Sequence, residues 1–387
     1  MTTIYGLSGL RPAAEAVKPL TCPPYDVIKP GTKLEALLAA NEKSLYHIVL
    51  GEKPVEALAA FQERGLLIED GEPAFYVYEQ SYAGGRRLGF LSAVEVTPYE
   101  DNEIIRHEKT FDEKVKGRIR LMEETGYVTE PIWLLTRGGV QETLEKVAAE
   151  ETPLYDFTSD FSGESELCGI TNRIFKVRED SPRGRELKEL VKAGPLYIAD
   201  GHHRYHSALR MGLKKCIAYV CQADEARIQA YNRVISGREP FAAVKDKLPL
   251  RKEEAFATPE RHRFCIYTRE GVYSYAAAEV DEGDAVGRLD CSLLEKTLYP
   301  CLKLERSMVL DHRYFDYYAE SELFRMRREV DEGRYDIAVA LHPVDPEELM
   351  AVAEAGTKDP TIVMPEKSTF FAPKILSGLF LIRTEKR

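Results

Sequence analysis

The chain has 387 residues, of which 44% are hydrophobic, 30% charged and 10% aromatic, enough for one large or two ordinary globular domains with a real core. Its net charge of −11, without a concentrated basic stripe, argues against a protein that grips nucleic acid through phosphates. No apolar run is long enough for a membrane span, and residues 1–20 lack the apolar region of a secretory leader. The seven cysteines (Cys22, Cys168, Cys216, Cys221, Cys265, Cys291 and Cys301) are odd in number, scattered and free of Cys-x-x-Cys pairs. They read as free thiols of a reducing cytoplasm.

In chain order, residues 6–12 read as a loop or edge strand. In Cys22-Pro23-Pro24-Tyr25-Asp26-Val27-Ile28, two prolines fix the backbone ahead of Tyr25 and Asp26. Such a loop either shows Tyr25 and Asp26 to a substrate or is a turn in which Asp26 bonds its own backbone. Residues 34–40 and 55–64 predict amphipathic helices, with a strand over 45–50 between them that carries His47. Strands over 74–80 and 88–96, joined by Gly84-Gly85-Arg86-Arg87, predict a β-hairpin. Then comes Ile104-Ile105-Arg106-His107-Glu108-Lys109-Thr110-Phe111, followed by Lys114, Lys116, Arg118 and Arg120. Thr110 or Asp112 is placed to cap the next helix. His107, Glu108 and Thr110 beside downstream cations suit an anionic ligand, with Glu108 as general base or Mg²⁺ ligand. A solvated helix face is the alternative. A buried strand over 131–135 holds Trp133, and 140–149, 167–177 and 185–192 read as helix, strand and helix.

The densest stretch follows. Residues 196–199 are a short apolar strand, Asp200 and Gly201 break it, and a helix runs from His203 to Gly212. A helix start presents unpaired N–H groups and positive potential. Gly201 lets backbone approach a ligand, and Arg204 adds a fork suited to phosphate or carboxylate. Asp200 stands where a Mg²⁺ ligand or base is wanted. Together they form a phosphate-binding corner. A capping Asp200 alone leaves two histidines and an arginine unexplained. His203 and His206, one turn apart with His202 and His107 nearby, offer a transition-metal reading, but the spacing is not His-Glu-x-x-His.

Residues 216–221 predict another buried strand, and Tyr231-Asn232-Arg233-Val234-Ile235 sets an arginine in an apolar run, as a ligand contact or buried ion pair. Charged, proline-containing sequence over 245–260 marks a lobe boundary, giving a main lobe over 1–246 and a smaller α+β lobe over 247–387. The smaller lobe has strands over 263–267, 272–277 and 335–341 and helices over 289–298, 320–330 and 346–355. The last dense stretch, residues 363–374, brings Lys367, Ser368, Thr369 and Lys374 into a proline-stiffened segment suited to phosphate or carboxylate. Its phenylalanines predict that it packs back onto the body. No internal repeat or low-complexity segment is present.

Three of these stretches, Cys-Pro-Pro-Tyr-Asp-Val-Ile, Ile-Ala-Asp-Gly-His-His-Arg-Tyr and Met-Pro-Glu-Lys-Ser-Thr-Phe-Phe-Ala-Pro-Lys, resemble the family called domain of unknown function 1015. His-Glu-Lys-Thr at 107–110 and Tyr-Asn-Arg-Val at 231–234 fit the same pattern. The central corner is also similar to the signature of the ParB/sulfiredoxin superfamily, whose free-serine kinases carry an Asp-Gly-His-x-Arg turn. The resemblance implies a mixed α+β fold with a ParB/sulfiredoxin-like nucleotide-binding core. It also implies ATP or ADP phosphates on Gly201, His202, His203 and Arg204, and a catalytic group of Asp200, Glu108 and His202. Mg²⁺ would sit on Asp200 and Glu108.

Arg233, Lys367, Ser368, Thr369 and Lys374 are added as nucleotide contacts, and Tyr25, Asp26, His107, Thr110 and Asn232 as acceptor contacts. The expected activity is phosphoryl transfer to a hydroxyl, free L-serine first. The alternative is a nucleotide-binding regulatory protein without kinase activity. No nucleic acid or membrane partner is expected, the location is cytoplasmic, and a homodimer is the oligomer considered.

Overall fold

The computed structural model describes residues 2–161, 167–365 and 367–387 and shows a mixed α+β protein. The chain divides into two compact units: Met1–Ala226 with Pro373–Arg387, and Arg227–Ala372. The division falls at Ala226, ahead of the 246/247 boundary read from composition, because the Tyr-Asn-Arg-Val-Ile strand pairs inside the second unit's sheet.

In the first unit the strands are β1 (Ile4–Tyr5), β2 (Leu7–Pro12), β3 (Leu67–Tyr82), β4 (Gly85–Glu95), β5 (Ile104–Ile105), β6 (Tyr127–Val128), β7 (Ile132–Thr136), β8 (Tyr155–Asp160), β9 (Cys168–Arg178), β10 (Leu196–Asp200) and β11 (Lys215–Gln222). All but β6 join one mixed sheet of order β5-β10-β7-β11-β4-β3-β9-β8, with β1 on β4 and β2 on β3. Residues 74–80 of β3 and all five residues of β7 are buried, the near-continuous apolar reading of strands covered on both faces. The predicted hairpin is the β3–β4 pair, from Tyr76 opposite Leu91 to Tyr82 opposite Gly85.

Two pairings bring the site together. Parallel pairing of β10 with β5, Leu196 opposite Ile104, sets residues 106–111 beside the corner that follows β10. Antiparallel pairing of β10 with β7 sets Asp200 opposite Trp133, so the approach to β7 passes the same corner. The helix Asp112–Thr125 packs on the helix His202–Arg210, where Ser207 Oγ donates to the Val115 carbonyl at 3.1 Å.

Two local expectations are corrected. Residues 45–50 contain a helix, Tyr46–Val49, rather than a strand. Buried Leu45, Ile48 and Val49 stand at helical spacing, and a run this short has no alternation to define a strand. The helix after Phe111 is capped by neither Thr110 nor Asp112: its N-cap is Phe111, with no side-chain cap bond, and Asp112 instead pairs with Arg210 at 2.8 Å.

The second unit contains β12 (Ile228–Gln229), β13 (Asn232–Ile235), β14 (Arg251–Glu253), β15 (Arg263–Thr268), β16 (Gly271–Ala276), β17 (Phe315–Tyr318), β18 (Ile337–Leu341) and β19 (Phe370–Phe371). Six of them form an antiparallel sheet of order β14-β16-β15-β18-β13-β17, while β12 pairs with β19. Val234, Tyr318, Met326, Val330, Tyr335 and Ala338 form a core between the sheet and the helix Leu323–Asp331.

The tail returns to the first unit. A final strand, β20 (Ile382–Arg383), pairs with β6, and bridges join Leu10 to Leu381 and Cys22 to Ser377. All seven cysteines are free. No described helix is long and apolar enough to cross a membrane.

Candidate active site

The centre of the first unit's site is the junction between β10 and the helix His202–Arg210. Gly201 is the N-cap, at φ +92°, a left-handed conformation that glycine adopts without steric cost. A Cβ there would meet Arg204 Cζ at 3.1 Å and Ile132 Cα at 3.2 Å. Glycine is therefore required both for the turn and for the guanidinium lying across it. The first-turn N–H groups of His202, His203 and Arg204 have no i−4 carbonyl within the helix.

Asp200 is the hub. One carboxylate oxygen accepts from Lys374 Nζ at 2.8 Å, and the other from Arg204 Nη2. Arg204 also donates to the Pro131 carbonyl. All three side chains are largely buried, at 18%, 11% and 8% exposure for Asp200, Lys374 and Arg204. Burial alone would push the carboxyl up, but Lys374 and Arg204 outweigh it and hold Asp200 well below the usual carboxylate range. It is an ionised anchor between two cations, not a base waiting for a proton. Lys374 arrives from the far end of the chain because the tail is fixed there. Buried Arg87 donates to the Pro373 carbonyl at 2.7 Å, and Gln80 to the Lys374 carbonyl at 3.1 Å.

Beside this hub lie His107, Glu108 and His202. The two imidazoles meet edge to face, centroids 4.5 Å apart. Both are buried, while Glu108 is one-third exposed. His202 Nε2 accepts from the His107 amide at 3.4 Å, so neutral His202 carries its proton on Nδ1, which faces Glu108 Oε2 at 3.4 Å. Burial holds both histidines down to about 3; His202 adds to this for His107, while nearby Asp200 works against it for His202. Both rings are neutral at pH 7. His203, half-buried, accepts from the Phe111 amide at 3.0 Å through Nε2 and stacks on Phe111; burial and then Lys114 hold it down to about 4.

The acceptor-side candidates fall at the same corner in part. Tyr25 is half-buried under the Arg118 guanidinium, 3.9 Å from its ring, and burial followed by Asp26 pushes its phenol up to about 12. Asp26 is exposed and acts electrostatically on Tyr25, His203 and Arg204. Thr110 is half-buried in the segment before the helix Asp112–Thr125.

Sequence reading missed Glu130. This buried carboxylate accepts from the Tyr25 amide and from Ser377 Oγ, each at 3.0 Å, and pairs with Arg118 at 3.1 Å. It ties the proline loop, the helix Asp112–Thr125 and the C-terminal segment together. Its signal was a charged residue at the mouth of an apolar strand, directly before Pro131.

The remaining predicted residues belong to the second unit, and the dense 363–374 stretch is divided, with only Pro373 and Lys374 of it in the first. Arg233 is 1% exposed, donates to the Tyr231 carbonyl and lies 5.5 Å from the Tyr317 ring; among the described residues no carboxylate pairs with it. Asn232 accepts from the Leu341 amide at 3.2 Å, and Lys367 Nζ lies 5.3 Å from the Tyr231 ring. Ser368 donates to the Pro365 carbonyl at 2.6 Å and accepts from Cys291 Sγ, and Thr369 follows half-buried.

The fold and the site define a mixed α+β protein with a buried acid–cation hub at a strand-to-helix corner. The chain belongs to the family described as protein of unknown function (DUF1015), whose profile matches residues 4–292. No curated protein matches it. Among solved structures it is similar to a mutant free serine kinase in complex with ADP, at 12% identity and TM-score 0.41 over 76% of this chain and 92% of that one. It is also similar to a conserved hypothetical protein from Pyrococcus furiosus, at 13% identity and TM-score 0.37 over 76% and 95%. SbnI with a C-terminal truncation, from Staphylococcus aureus, matches at 13% identity and TM-score 0.41 over 74% and 85%.

Proposed function

We propose that the first unit binds the phosphates of ATP or ADP at the 201–204 corner and transfers a phosphoryl group to the hydroxyl of a small metabolite. The observation that carries this reading is the Asp200 hub: two cations held beside a helix N-terminus opened by a left-handed glycine. Phosphoryl transfer asks chiefly for positioning and charge stabilisation. The first-turn amides and Lys374 supply these, and Asp200 orients Lys374 and Arg204. Glu108, the partly exposed carboxylate, takes the acceptor's proton as its oxygen bonds phosphorus and the bond to the nucleotide's leaving oxygen breaks. Tyr25, Asp26 and Thr110 face the acceptor, with His107 buried beside Glu108. Free L-serine stands first because the Asp200-Gly201-His202-x-Arg204 turn resembles that of free-serine kinases.

Mg²⁺ does not fit Asp200 as the site stands. Both oxygens already accept from cations, whereas Mg²⁺ wants oxygen ligands in open octahedral array.

The test incubates the full chain with ATP or ADP, divalent cations and a panel of hydroxyl metabolites, and follows product by ³¹P NMR. Expected is a phosphorylated acceptor whose formation is lost in Glu108→Gln while nucleotide still binds. Lys374→Met should weaken nucleotide binding about 10- to 100-fold, the worth of one charge-assisted contact. Saturable nucleotide binding with no product from any acceptor would favour the regulatory reading. That reading has one observation of its own, the occupation of both Asp200 oxygens by cations.

A further inference from the structure

His107, Glu108 and His202 offer one ligand atom each within 4.8 Å of one another. His107 Nε2 lies 3.8 Å from Glu108 Oε1, and His202 Nδ1 lies 3.4 Å from Glu108 Oε2. A second observation points the same way. His107 is 1% exposed, and among the described residues neither of its ring nitrogens makes a hydrogen bond of good geometry; the Ile198 backbone and Glu108 Oε1, 3.8 Å from Nε2, are the polar groups that act on it. A buried imidazole this weakly partnered is costly unless something takes its lone pair. His203 and His206, the pair suggested by spacing, join no such group among the described residues.

We infer that His107, Glu108 and His202 form a binding site for a nitrogen-accepting divalent transition metal, of the Zn²⁺, Mn²⁺ or Fe²⁺ class rather than Mg²⁺. Two imidazoles and one carboxylate are a donor set these ions accept and Mg²⁺ does not favour. An ion bonded at about 2.0–2.2 Å to each donor holds the donors roughly 3.0–3.6 Å apart. The two distances to Glu108 are already 3.4 and 3.8 Å, so closing on an ion needs only small ring movements. Three protein ligands leave positions open, as at sites that also bind a substrate or water. Ligation through His202 Nδ1 moves that ring's proton to Nε2. The long 3.4 Å contact from the His107 amide must then give way, and binding carries this tautomer change as a signature.

The site shares His107, Glu108 and His202 with the proposed function, but metal binding is measured without nucleotide and does not depend on phosphoryl transfer. The full chain is treated with EDTA, dialysed against Zn²⁺ or Co²⁺, and its metal content measured, with Co²⁺ absorption reporting the ligand field. Expected is one equivalent, not displaced by millimolar Mg²⁺, with affinity at least 10-fold weaker in Glu108→Gln and His202→Gln. His206→Gln serves as the control and should bind as the wild type does. Histidine ¹⁵N NMR should show one ring exchange its Nδ1 proton for an Nε2 proton on binding. Glu108 is partly exposed, so its variant stays folded even if a histidine variant does not. Absence of saturable binding below about 100 µM, or binding untouched by Glu108→Gln, overturns the site. Kinase activity with Mg²⁺ in protein that shows no such Zn²⁺ or Co²⁺ binding would leave the proposed function standing while this site fell.

Discussion

Replacing Asp200 by Asn removes the carboxylate that, among the described residues, pairs with both Arg204 and Lys374, and leaves the two buried cations across a neutral amide. Unit charges 2.8 Å apart, the Lys374–Asp200 separation, interact by about 6 kcal/mol at an effective dielectric near 20. Desolvation offsets part of that, and breaking a buried pair by removing one partner typically costs about 3–5 kcal/mol. Against a usual domain stability of about 5–15 kcal/mol, this is a large fraction. The chain supplies a selective probe. Trp133 is the only tryptophan, is buried in β7 and stands opposite Asp200, so its fluorescence during urea unfolding reports the first unit. Asp200→Asn should lower the midpoint by an amount equivalent to about 3–5 kcal/mol at unchanged slope. Adding Lys374→Met should recover part of the loss, giving a coupling of roughly 1–3 kcal/mol. A shift below about 0.5 kcal/mol, with the double variant simply additive, would refute the hub as a structural charge cluster.

Gly201→Ala should destabilise the first unit by about 1–3 kcal/mol in the same assay, because the residue sits at φ +92° and its Cβ would press on the Arg204 guanidinium. Glu130→Gln should cost about 1.5–3 kcal/mol and speed proteolysis of the C-terminal segment, since Ser377 and the Tyr25 amide lose a charged acceptor. If the tail stays equally protected, Glu130 does not hold it. Asp70 is also testable. Burial would raise its carboxyl, but Lys176, Arg11 and Tyr76 hold it down to about 2. A folded value below the unfolded one gives stability that is present above about pH 4 and lost as pH falls toward 2. Asp70→Asn should therefore flatten the unfolding curve in that window, by on the order of 2 kcal/mol at most, and leave its shape above pH 5 unchanged.

The β10 strand, the break at Asp200-Gly201 and the helix behind it were legible in order because each is a local signal: an apolar run, a glycine, then helical spacing. The hairpin of β3 and β4 and the strands β15, β16 and β18 were legible for the same reason. Residues 45–50 were not, since six residues without alternation leave strand and helix equally open until Leu45, Ile48 and Val49 find a core on one side.

At the site, residue type marked Asp200, Glu108, His107 and Lys374 as interesting, but type does not say who pairs with whom. Parallel pairing of β5 with β10 set His107 and Glu108 against His202, and a tail stitched down by Arg87 and Gln80 brought Lys374 to Asp200 across 174 positions of sequence. That pairing turned Asp200 from a candidate Mg²⁺ ligand into an anchored counter-ion, and turned the histidine pair of interest from His203 and His206 into His107 and His202. Glu130 stayed invisible because its partners come from residues 25, 118 and 377, none of them near it in the chain. Sequence by itself determined which groups could be charged, reactive or left-handed. Which charges neutralise one another in a low-dielectric interior depends on distances of a few ångströms, and only the tertiary structure sets those.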